Sequence, residues 1–129
     1  AKRHEEKPLF DRLGGEKKIH EIVTEIVRLH DENPALTSIM DGVNRENLIT
    51  RVAQFIVQGT GGPAVYKGRD MTSAHAHLKL TNADFLAAGG DVMQAMRNKG
   101  CTEEEVQEIV CTLVSLREAV VIESEKALH

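Results

Sequence analysis

The apolar residues of this chain recur at the spacing of an α-helix in nearly every segment, and this periodicity restricts the fold more than any other feature. From Glu16 to about His30, positions i, i+3, i+4, i+7 and i+8 carry aliphatic residues on one helix face: Ile19, Ile22, Val23, Ile26 and Val27. Similar stripes follow Asn44 and Thr102. No stretch alternates apolar and polar residues as a half-buried strand does. The sequence therefore predicts an all-α fold.

Glycine and proline mark where the predicted helices end. Gly14 and Gly15 end a short first helix, and the run "GTGGP" at 59–63 ends a helix that has Asn44 as its N-cap. Pro34 disfavours a helical conformation in the residue before it. The long helix is therefore expected to end there and a short one to follow.

The last two helices are each predicted to open with a capping box, Thr81 with Asp84 and Thr102 with Glu105. The glycine pair at 89–90 lies in the middle of the first of these helices, where each glycine costs about 1 kcal/mol relative to alanine. This pair predicts close backbone approach by another helix. The final helix is expected to bury a stripe of six residues: Val106, Ile109, Val110, Leu113, Val114 and Val120.

Length and charge exclude several classes of protein. The 129 residues, 41% of them hydrophobic, are enough for one domain with its own core. A net charge of −4 disfavours nucleic acid as a partner, because neutralising phosphates needs a clustered excess of Lys and Arg. The longest apolar runs are far shorter than the roughly 20 residues that cross a bilayer, so no membrane span is predicted.

The two cysteines, Cys101 and Cys111, form neither a CxxC nor a CxxCH motif, so neither a zinc site nor a covalently attached haem is predicted. Cys111 is expected to be a small buried thiol in the last helix. A reducing, cytoplasmic location fits this usage. The sequence begins at Ala1, and a removed leader peptide is the alternative.

Aromatic residues make up only 3% of the chain, and tryptophan is absent. Aromatic side chains are common fillers of protein interiors, so this interior must rely on aliphatic residues, Met and Ala. An aliphatic helical core is sufficient in many proteins, and this is the simpler interpretation. The alternative is that a large flat ligand supplies the missing bulk.

Four motifs occur in a fixed order along the chain: "LGG" at 13–15, "GTGGP" at 59–63, "YKGRDM" at 66–71 and "AHAHL" at 74–78. In this order and spacing, over nearly the whole chain, the sequence resembles the truncated haemoglobins, or 2/2 globins, and most closely their first group. The resemblance implies a globin-like two-over-two helical sandwich around haem b, iron protoporphyrin IX. It also implies a single truncated-globin domain over 1–129, with 1–7 as an N-terminal extension.

His75 matches the proximal iron ligand of that family, so the resemblance implies that His75 is the metal ligand, with His77 as the alternative. A five-coordinate haem iron needs one neutral imidazole, and the small residues Ser73, Ala74 and Ala76 allow close approach to a flat ring. The remaining histidines are interpreted as solvated or structural, one of them favoured at a helix C-terminus by the helix dipole: His4, His20, His129 and, at the helix end, His30.

The resemblance further implies a set of residues that contact the cofactor: Met40, Leu48, Arg51, Val52, Phe55, Arg69, Met71, Leu78 and Phe85. Arg51 stands where some relatives carry a second iron ligand. A guanidinium stays protonated, so a salt bridge to a haem propionate is expected of Arg51 instead. Met40 stands where an aromatic residue is usual, and is interpreted as a filler, with a sixth iron ligand as the alternative.

The predicted distal side is unusually apolar. Val27 stands in the place of a ligand-binding tyrosine and Leu48 in the place of a glutamine, and together with Val52 they are expected to form the distal pocket. Gln54 or Gln58 supplies a hydrogen-bond donor only if the helix register differs by one residue. Because bound dioxygen carries partial negative charge, losing a donor removes about 1.5 to 3 kcal/mol. Tight oxygen storage is therefore not expected.

The expected function is reversible binding of a diatomic gas, O₂, NO or CO, for gas binding, scavenging or sensing. The gas is the expected partner, and a reductase is a candidate second one. A globin-like interaction module without haem is the first alternative, motivated by the loss of distal polar and aromatic residues. A haem enzyme acting on NO or nitrite ranks third, because no acid–base pair is visible on the predicted distal side.

Overall fold

The computed structural model describes residues 8–63 and 80–121, and these ranges are dominated by α-helices. The elements in chain order are α1 Leu9–Leu13, α2 Gly15–Glu32, a 3₁₀ turn Pro34–Leu36, α3 Thr37–Met40, α4 Arg45–Gly59, α5 Asn82–Asn98, α6 Glu103–Ser115 and α7 Arg117–Val120. Leu80 and Val121 form an isolated parallel β-bridge. No helix in the described ranges is long and apolar enough to cross a membrane. The predicted all-α class is confirmed.

The ends of α2 follow from its flanking residues. Gly14 and Gly15 have φ angles of 107° and 86°, in the left-handed region that glycine adopts without strain. At the other end Asn33 is extended, with φ −87° and ψ 112°, as the residue before a proline should be. The Asn33 side chain accepts a hydrogen bond from the N–H of Ala35 at 3.0 Å. The helix is therefore two residues longer at its C-terminus than the sequence pattern predicts.

Side-chain caps begin the other long helices at the predicted positions. The Asn44 carboxamide oxygen accepts a hydrogen bond at 3.0 Å from the backbone N–H three residues later. Thr81 and Asp84 form a reciprocal capping box, with distances of 3.0 and 3.1 Å. Thr102 and Glu105 form another, with distances of 2.9 and 3.2 Å. Each box satisfies two backbone donors that a helix N-terminus leaves without partners.

Helix α2 lies at the centre of the described structure and packs mainly against α4 and α5. The main core consists of Leu13, Ile19, Ile22, Val23, Ile26, Ala53, Val57, Ala95, Met96, Val106 and Ile109. Every one of these residues is aliphatic or methionine, whereas the three phenylalanines are only half-buried. Aliphatic side chains therefore fill the described core without an aromatic residue.

A partly buried ion pair connects α1 to α6. The Arg12 side chain, only 5% exposed, donates two hydrogen bonds to the Glu108 carboxylate, at 2.5 and 2.9 Å. The hydrogen bonds that Arg12 donates to Glu108 raise the pKa of Arg12 against the opposing effect of burial. The contact joins residues that are 96 positions apart, and so fixes the first helix on the last third of the chain.

Among the described residues, the structure does not bear out the predicted close backbone approach at Gly89 and Gly90. A Cβ built at either position meets no atom within 4 Å, because this side of α5 carries no neighbouring helix among the described residues. Close approach occurs instead at Gly62. There a Cβ would lie 2.5 Å from a ring carbon of Phe10 and 2.6 Å from Cγ1 of Val57.

The last predicted helix is divided by a turn at Leu116 into α6 and α7, and its buried stripe is shorter than expected. At 3.6 residues per turn, position 114 lies about 80° and position 111 about 140° around the helix from Val106. Val114 is accordingly 59% exposed and Cys111 is exposed, so both predicted burials are wrong. The side chain of Val120 lies outside the described set.

Candidate functional site

A small apolar cluster forms where the end of α2, the helix α3, the start of α4 and the first half of α5 meet. We call it the corner cluster. Its buried members are Val27, Leu36 and Met40, and the residues packed against them are Ile39, Leu48, Ile49, Ala87 and Ala88. Val27 and Met40 are only 4% and 5% exposed. Three residues that the sequence assigned to one site, Val27, Met40 and Leu48, are thus together in the structure.

Local chain geometry brings these residues together. The break before Pro34 and the following 3₁₀ turn redirect the chain, so that α3 packs back on α2. The start of α4 is held to the end of α2 by an ion pair between Arg45 and Asp31, whose closest atoms, Nη2 and Oδ1, are 2.6 Å apart. The hydrogen bond from Arg45 lowers the pKa of the Asp31 carboxyl.

Helix α4 has two apolar faces. Ala53 and Val57 are buried in the main core. Leu48, Val52 and Phe55 follow the i, i+4, i+7 spacing on another face and are only half-buried. The packing of the described helices therefore leaves three large apolar side chains on one face of α4 partly uncovered.

The partly uncovered face fits one side of a haem, which is large, flat and apolar except at its propionates. Arg51 lies on the same helix and is half-buried, with a cationic end suited to a propionate. Its Nη1 donates to the Oε1 of Gln54 at 3.3 Å, and no carboxylate pairs with Arg51 within the described ranges. Phe85, in the first turn of α5, is also half-buried.

The other predicted site residues lie outside the described residues: the iron ligand His75, its alternative His77, and the contact residues Arg69, Met71 and Leu78. Within 8–63 and 80–121, no group of three or more His, Cys, Asp or Glu side chains is arranged to hold a metal ion. The described part of the chain thus offers an apolar surface for a cofactor. The assignment of His75 as the iron ligand remains a prediction.

One polar cluster near the corner cluster escaped the sequence analysis. His30 Nδ1 is 2.7 Å from Asp91 Oδ2, and the Asn33 amide donates to both oxygens of the same carboxylate, at 3.2 and 3.3 Å. His30 follows Val27 by one turn of α2, and Asp91 follows Ala88 by one turn of α5. No local signal reveals the contact, because His30 and Asp91 are 61 residues apart in the sequence.

Solved structures of similar shape show the fold. The truncated haemoglobin of Tetrahymena pyriformis in its Fe(III) form matches with a TM-score of 0.86 and 20% identity, over 91% of this chain and 100% of that one. The group II truncated haemoglobin of Bacillus anthracis matches with a TM-score of 0.80 and 22% identity, over 93% and 97%. The fold is the two-over-two helical sandwich of the truncated globins.

Sequence relatives agree with the fold. A group 1 truncated haemoglobin of a Nostoc species is 26% identical over 112 residues, which are 87% of this chain and 95% of the relative. One from Tetrahymena thermophila is 24% identical over 100 residues, 78% and 83% of the two chains. The family described as bacterial-like globins matches residues 8–122. The chain belongs to this family of haem-binding globins, and resembles its group 1 truncated haemoglobins.

Proposed function

We propose that this globin carries haem b on His75 and binds a diatomic gas, O₂, NO or CO, beside a distal pocket formed by Val27, Leu48 and Val52. The observation that carries the proposal is the corner cluster, where Val27 packs among Leu36 and Met40 at the position expected to face the gas. The names of the relatives, group 1 truncated haemoglobins, support the same function.

Each predicted site residue has a defined part in this proposal. His75 supplies the imidazole that holds the iron, and Arg51 holds a propionate. The remaining contacts are apolar or flank the ligand segment: Met40, Leu48, Val52, Phe55, Arg69, Met71, Leu78 and Phe85. When bound, the haem supplies the iron that takes up the gas. The half-buried face of Leu48, Val52 and Phe55 supports this arrangement, because it leaves an apolar surface to be covered.

The apolar distal side determines which gas is favoured. Dioxygen gains most from a hydrogen-bond donor, worth about 1.5 to 3 kcal/mol toward a charged acceptor. Val27 has no donor, whereas CO and NO lose less in such a pocket. We therefore expect weak retention of O₂ relative to CO and NO, which suits scavenging or sensing better than oxygen storage. The proposed second partner is a reductase, which would keep a bound haem in the ferrous state that binds O₂ and CO.

An interaction module without haem is the second candidate. The observation that favours it is that the corner cluster is closed. Only 4% of Val27 and 5% of Met40 are exposed, so the protein's own side chains already cover both residues. A site that is closed by its own residues needs no ligand to cover it. The two candidates differ in whether the chain takes up haemin.

Optical spectroscopy of the purified chain with added haemin tests the proposal. Spectra are recorded for the ferric, ferrous and ferrous-CO states of the wild type, His75→Ala and, as the matched control, His77→Ala. We expect a histidine-ligated, CO-binding spectrum for the wild type and His77→Ala, and its loss in His75→Ala. Loss in His77→Ala alone would reassign the ligand, and failure of the wild type to retain haemin would favour the interaction module.

A further inference from the structure

A groove with a volume of about 470 Å³ opens on the surface where α2 ends and α4 begins. Its lining includes the charged pair Asp31 and Arg45, the hydroxyl residues Thr37 and Ser38, and Met40. The two hydroxyl residues are exposed, so the groove communicates with solvent.

Met40 belongs both to this groove and to the corner cluster. It is one of the lining residues of the groove, and it is buried in the cluster beside Val27 and Leu36 with only 5% of its surface exposed. The side chain of Met40 is therefore shared by the groove, which is open to solvent, and by the cluster where the gas is proposed to bind. Methionine is unbranched and has three rotatable side-chain bonds, so it can change rotamer within a packed site more readily than an aromatic ring.

The ion pair between Arg45 and Asp31 restrains the groove. Arg45 donates to Asp31 through Nε and Nη2, and its Nη1 donates to the backbone oxygen of Val43 at 2.6 Å. The two side chains are 40% and 38% exposed. Exposed ion pairs of this kind are weak and are screened by salt. The helix ends that frame the groove are thus joined by a contact that contributes little stability and is sensitive to salt.

We propose that this groove is the route by which a small uncharged gas molecule passes between solvent and the corner cluster, with Met40 as the barrier and the Asp31–Arg45 pair as its restraint. The inference rests on the proposed gas-binding function and adds where the gas crosses the protein surface. A diatomic gas is the occupant that fits, because the cluster beyond Met40 is apolar and closely packed, and movement of one side chain admits only a small molecule.

Blocking the groove tests the route. Ser38→Cys in a Cys111→Ser background is labelled with a bulky maleimide, and CO association is followed after laser photolysis of the ferrous-CO protein. The wild type labelled at Cys111, which is exposed on α6, is the matched control, and Cys101 is present in both chains. We expect the label at position 38 to slow CO association by about tenfold, a barrier increase of about 1.4 kcal/mol. Equal rates in the two labelled chains would refute the route.

Breaking the restraint should have the opposite effect. Arg45→Gln is expected to raise the CO association rate by about threefold. Arg97→Gln is the control, because Arg97 is also 40% exposed and pairs with Glu103 at 2.8 Å, at the far end of α5. Equal acceleration in both variants would indicate general loosening and contradict the role of Arg45.

Two further readouts separate the route from the function on which it rests. A labelled chain with the normal haem spectrum but an unchanged CO rate refutes the route alone, whereas a wild type that takes up no haemin refutes the function and the route together. A measurement independent of the iron uses dissolved xenon. Xenon should shift the methyl NMR signal of Met40 in the control chain, and less so in the chain labelled at position 38.

Discussion

Replacing Val27 by tyrosine tests the proposed cause of weak oxygen retention. Val27 is 4% exposed and packs against Leu36 and Met40, so a larger side chain must displace one of them. The flexible Met40 is the neighbour that can yield. Val27→Phe introduces the same ring without the hydroxyl, so comparing the two variants isolates the hydrogen-bond donor from the steric change.

The magnitude follows from two opposing effects. Overpacking a closed cluster lowers the free energy of unfolding by about 1 to 3 kcal/mol in both variants. Only the tyrosine adds a donor, worth about 1.5 to 3 kcal/mol toward a charged acceptor. At about 0.59 kcal/mol for RT, the tyrosine variant should bind O₂ about ten to more than a hundred times more tightly than the phenylalanine variant.

The assay is the O₂ affinity, obtained from association and dissociation rates by flash photolysis and stopped flow, with the CO affinity measured on the same samples. We expect the O₂ affinities of Val27→Tyr and Val27→Phe to differ by the stated factor and their CO affinities to agree within about threefold, or about 0.65 kcal/mol. Equal O₂ affinities would refute the reasoning, because the side chain at position 27 would then not face the bound gas.

Three other predictions concern stability. Asp91→Asn should lower the free energy of unfolding by about 1.5 to 3 kcal/mol in urea titrations, because a carboxylate holding an imidazole and an amide is lost; the exposed Asp41→Asn is the control, and equal values would contradict this role. Glu25 has its pKa lowered to about 2, chiefly by its hydrogen bond from Arg28. A lowered folded pKa gives stability that is present above the unfolded value of 4.5 and lost as the pH falls toward 2, so Glu25→Gln should flatten acid unfolding in that window, and an unchanged profile would count against it. Gly62→Ala should lower the melting temperature, because the added methyl group would clash with Phe10 and Val57. Gly89→Ala should raise it, with a gain of about 0.4 to 1 kcal/mol in the free energy of unfolding. The reverse order in calorimetry would overturn the packing argument.

The helix ends could be predicted from sequence because they depend on neighbouring residues. A left-handed glycine such as Gly14, a proline such as Pro34 and a capping pair such as Thr102 with Glu105 each act within four residues. The class of fold follows from these and from the apolar stripes.

Contacts between helices could not be predicted in the same way. Gly89 and Gly90 predict a close neighbouring helix, and no described atom lies within 4 Å of a Cβ built at either position. The pairing of His30 with Asp91 depends on how α2 and α5 cross. The apolar spacing of α6 predicts a buried stripe that is too wide, because it includes Val114, which lies beside the buried face and is 59% exposed. Packing angles and distances between segments have no signature in a single sequence.

The candidate site was predicted through family resemblance more than through physical pattern. Val27, Met40 and Leu48 occupy positions that the family uses, and the structure brings all three into one cluster. The pattern alone would have assigned them to the core as ordinary apolar residues. His75 remains a prediction, because it lies outside the described residues.

Contacts with distant parts of the chain fix the residues on either side of 64–79, and this lowers the conformational entropy of the chain between them. Before this segment, the N–H of Phe10 donates to the oxygen of Thr60 at 2.9 Å, and Gly62 packs directly on the Phe10 ring. After it, Leu80 pairs with Val121, which is fully buried. A segment whose ends are already fixed has less conformational freedom to lose when it closes around a ligand than one with a free end. Under the proposal that His75 holds the iron, the contacts made by Phe10 and Val121 would therefore lower the entropy cost of binding the haem, although neither residue is assigned to the site.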